Sequence, residues 1–407
     1  MHVVFVEPAF PSNQREFVRG LHKVGARVTG IGERPAEYLD DEMKSWLTDY
    51  IQVPSVVHQE SLLDAVRTCQ KKGWVDRLEA TVEAHIMPTA EVREACGIPG
   101  TSVRTAFLCR DKPAMKEALR EAGVACAQSD GVQSAEAAIE FAERVGYPVI
   151  LKPRAAAGAS GTYKASDREE LDRVIVECGL DRGQDTAIEE FIEGHEGFYD
   201  TLCHEGQIVH EFATHYYPNV LEAMRSRWIS PQFIATNRLD ADGYEMAREM
   251  GRKVIDVLGL TTSATHMEWF YSAKGLKFSE IGCRPAGVCA WDIYCAANDF
   301  DLYAEWARAV TGQPSRERPS RQYSAGTIAL RPDRDGTIMG YEGRDWIENT
   351  FGRHIFASHF PAPGTPTQPV EAGYMANAWI RMRHPDYDTL HAMLNEVGER
   401  VRIRASD

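Results

Sequence analysis

The chain has 407 residues, of which 43% are hydrophobic, and its 60 acidic and 45 basic side chains give a net charge of −15. This length and apolar content predict a folded protein of two or three domains. The acidic balance, with no run of lysine and arginine, argues against a protein that follows the phosphate backbone of nucleic acid.

The sequence contains no membrane or export signal that we recognise. No window approaches about eighteen consecutive apolar residues, and Met1–Phe10 has neither a basic stretch nor a cleavage-like site. We therefore expect a cytoplasmic protein. The nine cysteines form no C-x-x-C pair, which argues against a zinc or dithiol redox site.

The first part of the chain alternates strand-like and helix-like segments. Val3–Val6 reads as a strand, Gln14–Val24 as an amphipathic helix and Arg27–Ile31 as a second strand. This β-α-β order predicts a doubly wound parallel sheet. The first strand-to-helix turn, Glu7–Pro11, lacks the G-x-G-x-x-G fingerprint, which argues against an NAD-type oxidoreductase.

From residue 111 onward, helix caps alternate with strand-like runs in a pattern typical of an α+β region. Asp111 caps a helix that stops at Gly123, Ser134 caps a second, and Ser166-x-x-Glu169 forms a capping box for a third. The predicted strands are Pro148–Lys152, Tyr163–Ala165, Asp185–Ile192 and Phe198–Phe212, the last turning at Glu205-Gly206. Later we expect strands at Tyr323–Arg331 and Ala378–Met382, a loop at Phe360–Pro369 and a helix at Tyr387–Arg400.

Two further segments, Thr265–Tyr271 and Leu276–Ile281, predict a β-hairpin around a turn at Ala273-Lys274-Gly275. This register places Glu268 opposite Glu280, and carboxylates that face each other across a ladder repel unless a cation lies between them. Such oxygen ligands suit magnesium, which takes its other ligands from water and substrate phosphates. The alternative is another register in which both glutamates face solvent.

Lys152 ends an apolar strand and precedes a loop of small residues, Ala155–Thr162. Small residues let backbone N–H groups approach phosphate oxygens closely, and a lysine at the root of the loop adds a positive charge. The loop lacks the Gly-Lys-Ser/Thr ending of a Walker motif. Taken alone, a loop of this composition needs no ligand, so it indicates phosphate binding only together with other motifs.

The order and spacing of these motifs resemble the ATP-grasp superfamily. The helix Asp111–Val124 is similar to that family's opening helix, Tyr147–Pro153 to its second lysine strand, and Ile188–Glu196 to its adenine-binding hinge. Met267–Trp269 and Phe278–Arg284 resemble its two magnesium-bearing strands. The resemblance covers roughly residues 110–290, and 1–110 more loosely as the preceding α/β domain.

The resemblance implies a fold that combines α/β and α+β parts. It also implies a binding or catalytic role for each site residue. Its regions are an N-terminal domain (1–110), an ATP-grasp catalytic region (111–319, with a lid subdomain at about 128–195) and a C-terminal lobe (320–407). The implied nucleotide-binding residues are Lys112 and Lys152 for phosphate, Gly158, Ser160 and Gly161 in the lid, Glu189, Glu190 and Ile192 for adenine, and Glu196 for ribose. The implied metal ligands are Glu268 and Glu280, and the implied catalytic residues are Lys152 and Arg284, which holds the acyl phosphate.

One position departs from the family pattern, because Gly282 stands where a metal-binding asparagine is common. Two explanations are open: the metal has fewer protein ligands, or a neighbouring residue supplies one. His266, two residues before Glu268 on the same strand face, is a candidate. A single histidine on a strand is, however, more often a packing residue or a support for a ligand.

The candidate substrate residues are His215, Arg225, Arg227 and Gly287. Guanidinium groups can bind a carboxylate through two parallel hydrogen bonds. Gly287 belongs to a Gly/Ala-containing turn before Trp291, whose indole could form the wall of an amino-acid pocket. The alternatives are a solvated loop with ordinary charge pairs and a tryptophan buried in the core.

The resemblance implies an ATP-dependent carboxylate–amine ligase, similar to the L-amino-acid ligases, that forms an amide or peptide bond through an acyl phosphate. The expected cofactors are ATP and Mg²⁺, and the expected partners are a small carboxylate and an amine, with a homodimer as the default assembly. One alternative is a biotin-carboxylase-like or purine-pathway enzyme that activates bicarbonate or another one-carbon acid. Another is a non-catalytic ATP-binding protein.

Overall fold

The computed structural model describes residues 1–153, 161–224, 226–375 and 377–406. Its first sheet is parallel, with strand order β3-β2-β1-β4. The elements of this part are β1 (His2–Val6), α1 (Gln14–Lys23), β2 (Arg27–Gly32), α2 (Asp41–Trp46), β3 (Asp49–Gln52), α3 (Gln59–Lys72), β4 (Arg77–Glu79), α4 (Ile86–Cys96) and α5 (Val103–Leu108). The predicted β-α-β order is confirmed.

Both faces of this parallel sheet are buried. Successive side chains of a strand point to opposite faces, and in β1 the alternation divides them between two cores. Val3 and Phe5 pack in one cluster with Phe17 of α1, whereas Val4 and Val6 belong to a second cluster with side chains of α3 and α4. This arrangement is the predicted doubly wound one.

The next region forms a small four-stranded sheet with strand order β5-β8-β6-β7. Its elements are α6 (Lys112–Glu121), β5 (Ser129–Val132), α7 (Ala135–Val145), β6 (Val149–Pro153), β7 (Tyr163–Ala165), α8 (Arg168–Glu177) and β8 (Thr186–Glu190). Asp111 and Ser134 cap their helices as predicted. The predicted cap of α8 is wrong by one residue: Asp167 accepts from the Glu170 N–H at 2.9 Å, and Glu170 accepts from the Ser166 N–H at 2.7 Å.

The remaining strands build a large antiparallel sheet of order β13-β12-β9-β10-β11-β14-β17-β16, with a separate β15-β18 pair. Its elements are β9 (His195–His204), β10 (Gln207–Tyr217), α9 (Val220–Ala223), β11 (Gln232–Ala235), α10 (Glu245–Leu258), β12 (Ser263–Ser272), β13 (Gly275–Gly282), α11 (Ala290–Asn298), α12 (Leu302–Val310), β14 (Ser324–Leu330), β15 (Thr337–Glu342), α13 (Arg344–Phe351), β16 (Ile355–His359), β17 (Ala378–His384), α14 (Tyr387–Arg400) and β18 (Arg402–Ser406). The predicted turn at Glu205-Gly206 joins β9 to β10.

The large sheet continues across the boundary predicted at residue 320. β11, before this boundary, pairs with β14, after it, and β14 pairs in turn with β17. Helix α14 covers this end of the sheet, where Leu390 and Leu394 pack with Ile328 and Ile380 in one core. Strands β14, β16 and β17 therefore extend the sheet that carries the β12–β13 hairpin, while the domain boundaries themselves stay predictions.

A charged cluster joins the N-terminal helix α1 to α12. Arg19 donates to both carboxylate oxygens of Asp301 at 2.8 and 3.0 Å, and Lys23 donates to the same group at 2.8 Å. Asp301 also caps α12 by accepting from the Ala304 N–H at 3.1 Å. Burial alone would raise the pKa of Asp301, but the hydrogen bonds from Arg19 and Lys23 hold it well below its usual range.

We expect Asp301→Asn to lower the free energy of unfolding by about 1–3 kcal/mol at pH 7, because it removes the carboxylate that Arg19 and Lys23 share. Since the carboxyl pKa is lower in the folded than in the unfolded chain, this stabilisation is present above about pH 4 and disappears as the pH falls below it. Urea unfolding of both proteins between pH 7 and pH 3 measures the difference. Asp335→Asn, which changes an exposed partner of Arg227, is the control; an effect of Asp301→Asn that stays constant with pH would contradict the assignment.

Candidate active site

The β12–β13 hairpin brings Glu268 and Glu280 directly opposite each other, as the sequence predicted. The predicted three-residue turn is wrong, because Ser272 pairs with Gly275 and only two residues lie between them. A β-bulge after Glu268 adds one residue on β13 and restores the predicted pairing. The two partly buried carboxylates thus lie side by side on neighbouring strands.

A cavity of about 370 Å³ lies between this hairpin and the small β5-β8-β6-β7 sheet. Residues of both sheets supply its charged groups. The predicted site residues that line it are Lys152, Glu189, Glu190, Ile192, Glu196, Glu268 and Glu280. Lys112 lies just outside, with its Nζ 3.3 Å from Oε2 of Glu280, in a narrow cleft that His266 and Arg284 also line.

Two buried lysines share one carboxylate at the base of this cavity. Lys116 of α6 and Lys152 of β6 both form ion pairs with Glu189 of β8. Burial by itself would raise the pKa of Glu189, but the two lysines lower it to about 2. Burial lowers the pKa of Lys116, whereas Lys152 has a raised pKa despite its burial because Glu189 and Glu280 face it. The cavity therefore holds two lysines that share one carboxylate, an arrangement with net positive charge.

The backbone around the predicted adenine hinge is partly engaged in the sheet. Glu189 lies inside β8 between Ser129 and Ile150. The Glu190 N–H donates to Gln128 at 2.9 Å, and the Phe191 N–H donates to Pro148 at 3.2 Å. The side chain of Glu189 pairs with the two lysines, and β8 ends at Glu190. That the backbone of Glu189 carries adenine stays a prediction. Ile192, after the strand, lines the cavity.

Glu196 is buried at the opposite wall of the cavity. Its carboxylate accepts a hydrogen bond of 2.6 Å from the Val220 N–H. Burial first, and the nearby Glu268 second, raise the pKa of Glu196 to about 8. A carboxyl group with a raised pKa can donate as well as accept hydrogen bonds, which suits a partner that does both, such as a sugar hydroxyl.

The carboxylates of the hairpin form a donor set that fits a divalent cation. Burial would raise the pKa of Glu280, but Lys112, Lys152 and Lys116 lower it and keep this group ionised. Glu268 lies on the same face of the hairpin and lines the same cavity. Carboxylate oxygens on adjacent strands, open to a cavity large enough for phosphates, are the ligands that Mg²⁺ prefers.

A buried hydrogen-bonded chain leads from this hairpin into the core. His266 Nδ1 lies 2.7 Å from Oδ1 of Asp200, and its Nε2 lies 3.5 Å from Oε1 of Glu268. The Tyr294 hydroxyl donates to Oδ2 of Asp200 at 2.6 Å. Burial alone would lower the pKa of His266, but Asp200 and Glu268 raise it to about 9. This part of the molecule therefore attracts positive charge.

Arg284 belongs to the wall of a second, larger cavity of about 610 Å³. Its Nε donates to Glu83 at 2.6 Å and its Nη1 to the Pro285 carbonyl at 2.8 Å. Gly287, a predicted substrate residue, also lines this cavity. The other walls come from the loop before α1, the segment after β4 and strand β17. The cavity therefore lies between the N-terminal region, the segment after β13 and the C-terminal strands.

Arg381 of β17 is a lining residue that the sequence did not identify. It is 4% exposed, and its guanidinium lies 4.3 Å from the ring centre of Trp379, which lines the same cavity. Nη1 donates to Asp292 at 2.7 Å, while the buried Nε has no acceptor among the described residues. Arg381 thus places a guanidinium group, paired with Asp292, at the wall of the larger cavity.

Other predicted substrate residues lie elsewhere. His215 is half-buried with both ring nitrogens engaged, at 2.8 Å from His195 and 2.7 Å from the Tyr244 hydroxyl. Arg227 forms a surface ion pair with Asp335. Neither lines the two cavities, so their roles as substrate contacts stay predictions. Gly161 lies in an exposed turn next to Thr162, and the predictions for Gly158, Ser160 and Arg225 fall outside the described residues.

Four residues of the site were not predicted, and they differ in whether the local sequence contains a signal for them. Lys116 follows Lys112 by four positions in α6, so helical spacing alone places both on one face. Asp200 stands out as a charge in the buried strand β9. Arg381 and Glu83 had no local signal, because only the tertiary fold brings them to Arg284.

Comparison with known proteins gives matches of three kinds. Residues 111–197 match the family model of the carbamoyl-phosphate synthase L chain ATP-binding domain. The carbamoyl phosphate synthase large chain of Rubrobacter xylanophilus is 24% identical over 311 residues, which cover 72% of this chain and 28% of that protein. The L-arginine-specific L-amino acid ligase of Bacillus subtilis is 27% identical over 223 residues, 53% of each chain.

The crystal structure of an L-amino acid ligase from Bacillus licheniformis has a TM-score of 0.79 to this chain at 16% identity, and the superposition covers 100% of this chain and 99% of that one. By contrast, the chain spans only about half the length of the arginine ligase that it matches in sequence. These similarities confirm the predicted fold class and the ATP-binding region around α6 to β9.

Proposed function

We propose that this chain is an ATP-grasp enzyme, an ATP-dependent carboxylate–amine ligase that forms an amide or peptide bond on an amino-acid-like substrate. The observation that carries the proposal is that two cavities lie next to each other at the end of β13. Glu280 lines the smaller, lysine-containing cavity, and Arg284, four residues later, lines the larger one. A phosphoryl group and a second substrate would therefore meet at the end of β13.

The charges of the smaller cavity suit the triphosphate of ATP. Lys116 and Lys152 at its base, with Lys112 beside Glu280, would bind phosphate oxygens in place of the carboxylates that they now contact. Glu196, at the opposite wall, would accept from ribose, and Ile192 would contact adenine. Mg²⁺ held by Glu268 and Glu280 would supply positive charge that offsets the charge of the transferred phosphoryl group.

The proposed reaction has two steps. An oxygen of the substrate carboxylate attacks the γ-phosphorus, and the bond to the bridging oxygen breaks to release ADP. The amine nitrogen then attacks the carbonyl carbon of the acyl phosphate, loses one proton, and expels inorganic phosphate. The residues of the chain position these groups and neutralise charge: Lys152 acts at the phosphoryl group and Arg284 at the acyl phosphate.

The size of the second cavity supports an amino-acid-like substrate over a one-carbon acid. A volume of about 610 Å³ is in the range of pockets that enclose whole organic ligands. Bicarbonate would leave most of this space to water. The charged residues of both cavities also argue against the non-catalytic alternative, since a protein that only binds nucleotide needs no arginine at the phosphoryl end.

Phosphate release from ATP tests this proposal, with Mg²⁺ and a panel of amino acids, small carboxylates and bicarbonate, offered singly and in pairs. We expect release with a pair of acid and amine, or with one acid plus hydroxylamine, which traps the acyl phosphate as a hydroxamate. Lys152→Ala is the inactive control. Release with bicarbonate alone would favour the one-carbon alternative, and nucleotide binding without release across the panel would favour the non-catalytic one.

Arg381 should affect one substrate selectively. We expect Arg381→Met to raise the KM of one co-substrate about tenfold or more, because it removes a charged hydrogen-bond donor from the larger cavity, while the KM of ATP changes little. Steady-state kinetics with each substrate varied in turn measures this difference. Arg383→Met on the same strand, outside the cavity, should leave every KM unchanged; equal effects of both variants would contradict a substrate contact.

The proposed partners are small molecules, a carboxylate and an amine. Within the described residues, no helix has both the length and the apolar character needed to cross a membrane. The cytoplasmic location and the homodimer predicted from the sequence stay predictions.

A further inference from the structure

We propose that Glu83 is a positioning residue for Arg284 and holds its guanidinium group so that one nitrogen faces the acyl phosphate. Glu83 lies between β4 and α4 and precedes Arg284 by 201 positions. The N-terminal region thus completes the active site. This inference rests on the proposed function only for the catalytic role of Arg284.

The first argument is the geometry of the pair. Nε of Arg284 donates to Oε2 of Glu83 at 2.6 Å, and Nη1 donates to the Pro285 carbonyl at 2.8 Å. Because two of its three nitrogens are held, the plane of the guanidinium group is fixed. Arg284 lines the larger cavity, and Nη2 has no acceptor among the described residues. Nη2 therefore keeps both of its N–H groups for a substrate oxygen.

The second argument is that Glu83 is itself fixed. Nη1 of Arg110, which lies between α5 and α6, is 3.1 Å from Oε1 of Glu83 and also donates to the Glu83 carbonyl. Arg110 and Arg284 thus contact different oxygens of one carboxylate. A carboxylate held on both sides has little freedom to rotate, so its position determines that of Arg284.

The third argument is the space that the pair occupies beside β13. A Cβ at Gly282 would lie 3.3 Å from Oε2 of Glu83 and 3.4 Å from Cγ of Arg284. The first of these distances is shorter than an ordinary van der Waals contact. A longer side chain at this position would therefore displace the ion pair, and Gly282 leaves the room that the pair needs.

The fourth argument is the charge of this group of side chains. Burial by itself would lower the pKa of Arg284, but Glu83 raises it and keeps the guanidinium charged. Two arginines, Arg110 and Arg284, share the single negative charge of Glu83. The three side chains together keep a positive charge. Glu83 can therefore orient Arg284 without cancelling the charge that stabilises an acyl phosphate.

We expect Glu83→Gln to lower kcat by about 10- to 100-fold while the KM of ATP changes little, because Arg284 keeps its charge and loses its orientation. Steady-state kinetics measures both constants. Glu79→Gln is the matched control: it removes the partner of Arg93 at 3.1 Å in the same region, and Glu79 lines neither cavity. This control should leave kcat unchanged.

A double-mutant cycle separates positioning from a direct or purely structural role. In Arg284→Leu, Glu83 has no guanidinium to orient, so we expect Glu83→Gln to change kcat by less than about twofold in that background. Equal losses of kcat in both backgrounds would overturn the inference, since Glu83 would then act on the substrate or on the fold. Wild-type kcat in folded Glu83→Gln would overturn it as well.

Nuclear magnetic resonance of the arginine Nε–H groups tests the pair without any substrate, in the full chain labelled with ¹⁵N-arginine. The signal of Arg284 is the one that disappears in Arg284→Lys. We expect this group to be rigid and slow to exchange with solvent in the wild type and in Glu79→Gln, and to become mobile in Glu83→Gln. A mobile Arg284 in the wild type would overturn the inference, even if a variant fails to fold.

The two proposals also fail separately. An Arg284 that is ordered by Glu83 in a protein that forms no amide would refute the ligase function alone. Amide formation with equal effects of Glu83→Gln in both backgrounds would refute the positioning role alone.

Discussion

Glu280→Gln is expected to reduce ATP-dependent phosphate release by about 1,000-fold or more, the scale seen when a charge-stabilising group is removed from a phosphoryl or acyl transfer site. The substitution keeps the size of the side chain but removes the charge that faces Glu268 across the ladder and Lys112 at 3.3 Å. The cation would then lose one of its two carboxylates, and Lys112 would lose its charged contact with Glu280.

The measurement is the rate of phosphate release with saturating co-substrates, together with a thermal melt that shows whether the variant is folded. Glu222→Gln changes an exposed carboxylate at the rim of the same cavity and should retain activity close to that of the wild type. Wild-type activity from folded Glu280→Gln would contradict the metal site on this hairpin.

Arg284→Leu is expected to lower kcat by about 100-fold or more while nucleotide affinity changes little. Arg284 lines the larger cavity, away from the walls that would hold adenine and ribose, so it should act after ATP has bound. The fold should survive the change, because Glu83 keeps a second cation: Nη1 of Arg110 lies 3.1 Å from Oε1 of that carboxylate.

Arg284→Lys separates charge from geometry in the same experiment. A lysine keeps the positive charge but lacks the planar, two-pronged donor of a guanidinium, so we expect only partial recovery of kcat. ADP binding, measured by titration calorimetry, should be similar in all three proteins. Loss of ADP binding in Arg284→Leu would show that this residue belongs to the nucleotide site and not to the acyl phosphate site.

Much of the fold could be predicted because the local signals agree with one another. Apolar runs and caps such as Asp111 and Ser134 locate elements that depend mainly on neighbouring residues. Where two neighbouring residues could serve equally well as a cap, the predicted cap was wrong by one residue. Ser166 and Asp167 can both cap a helix, and only the surrounding backbone selects Asp167. The bulge in β13 was also invisible, because a bulge depends on how the strand packs.

The candidate site, too, contains one part that local sequence signals predict and one part that they do not. Glu268 and Glu280 are close in sequence and joined by one hairpin, so their pairing could be predicted, although the structure reaches it through a two-residue turn and a bulge that the sequence did not predict. The larger cavity is assembled from segments hundreds of positions apart, such as Glu83 and Arg381, and no local pattern relates them. The residues around the proposed substrate cavity can therefore be identified only from the structure.

Transfer of ¹⁸O from a labelled carboxylate to phosphate tests the central claim most directly. The acid that forms a hydroxamate would be labelled in both carboxylate oxygens and incubated with ATP and the amine, and the phosphate analysed by mass spectrometry. An acyl phosphate that is opened by the amine predicts one ¹⁸O atom in the phosphate for each amide formed. Unlabelled phosphate, or ¹⁸O in AMP, would contradict the account.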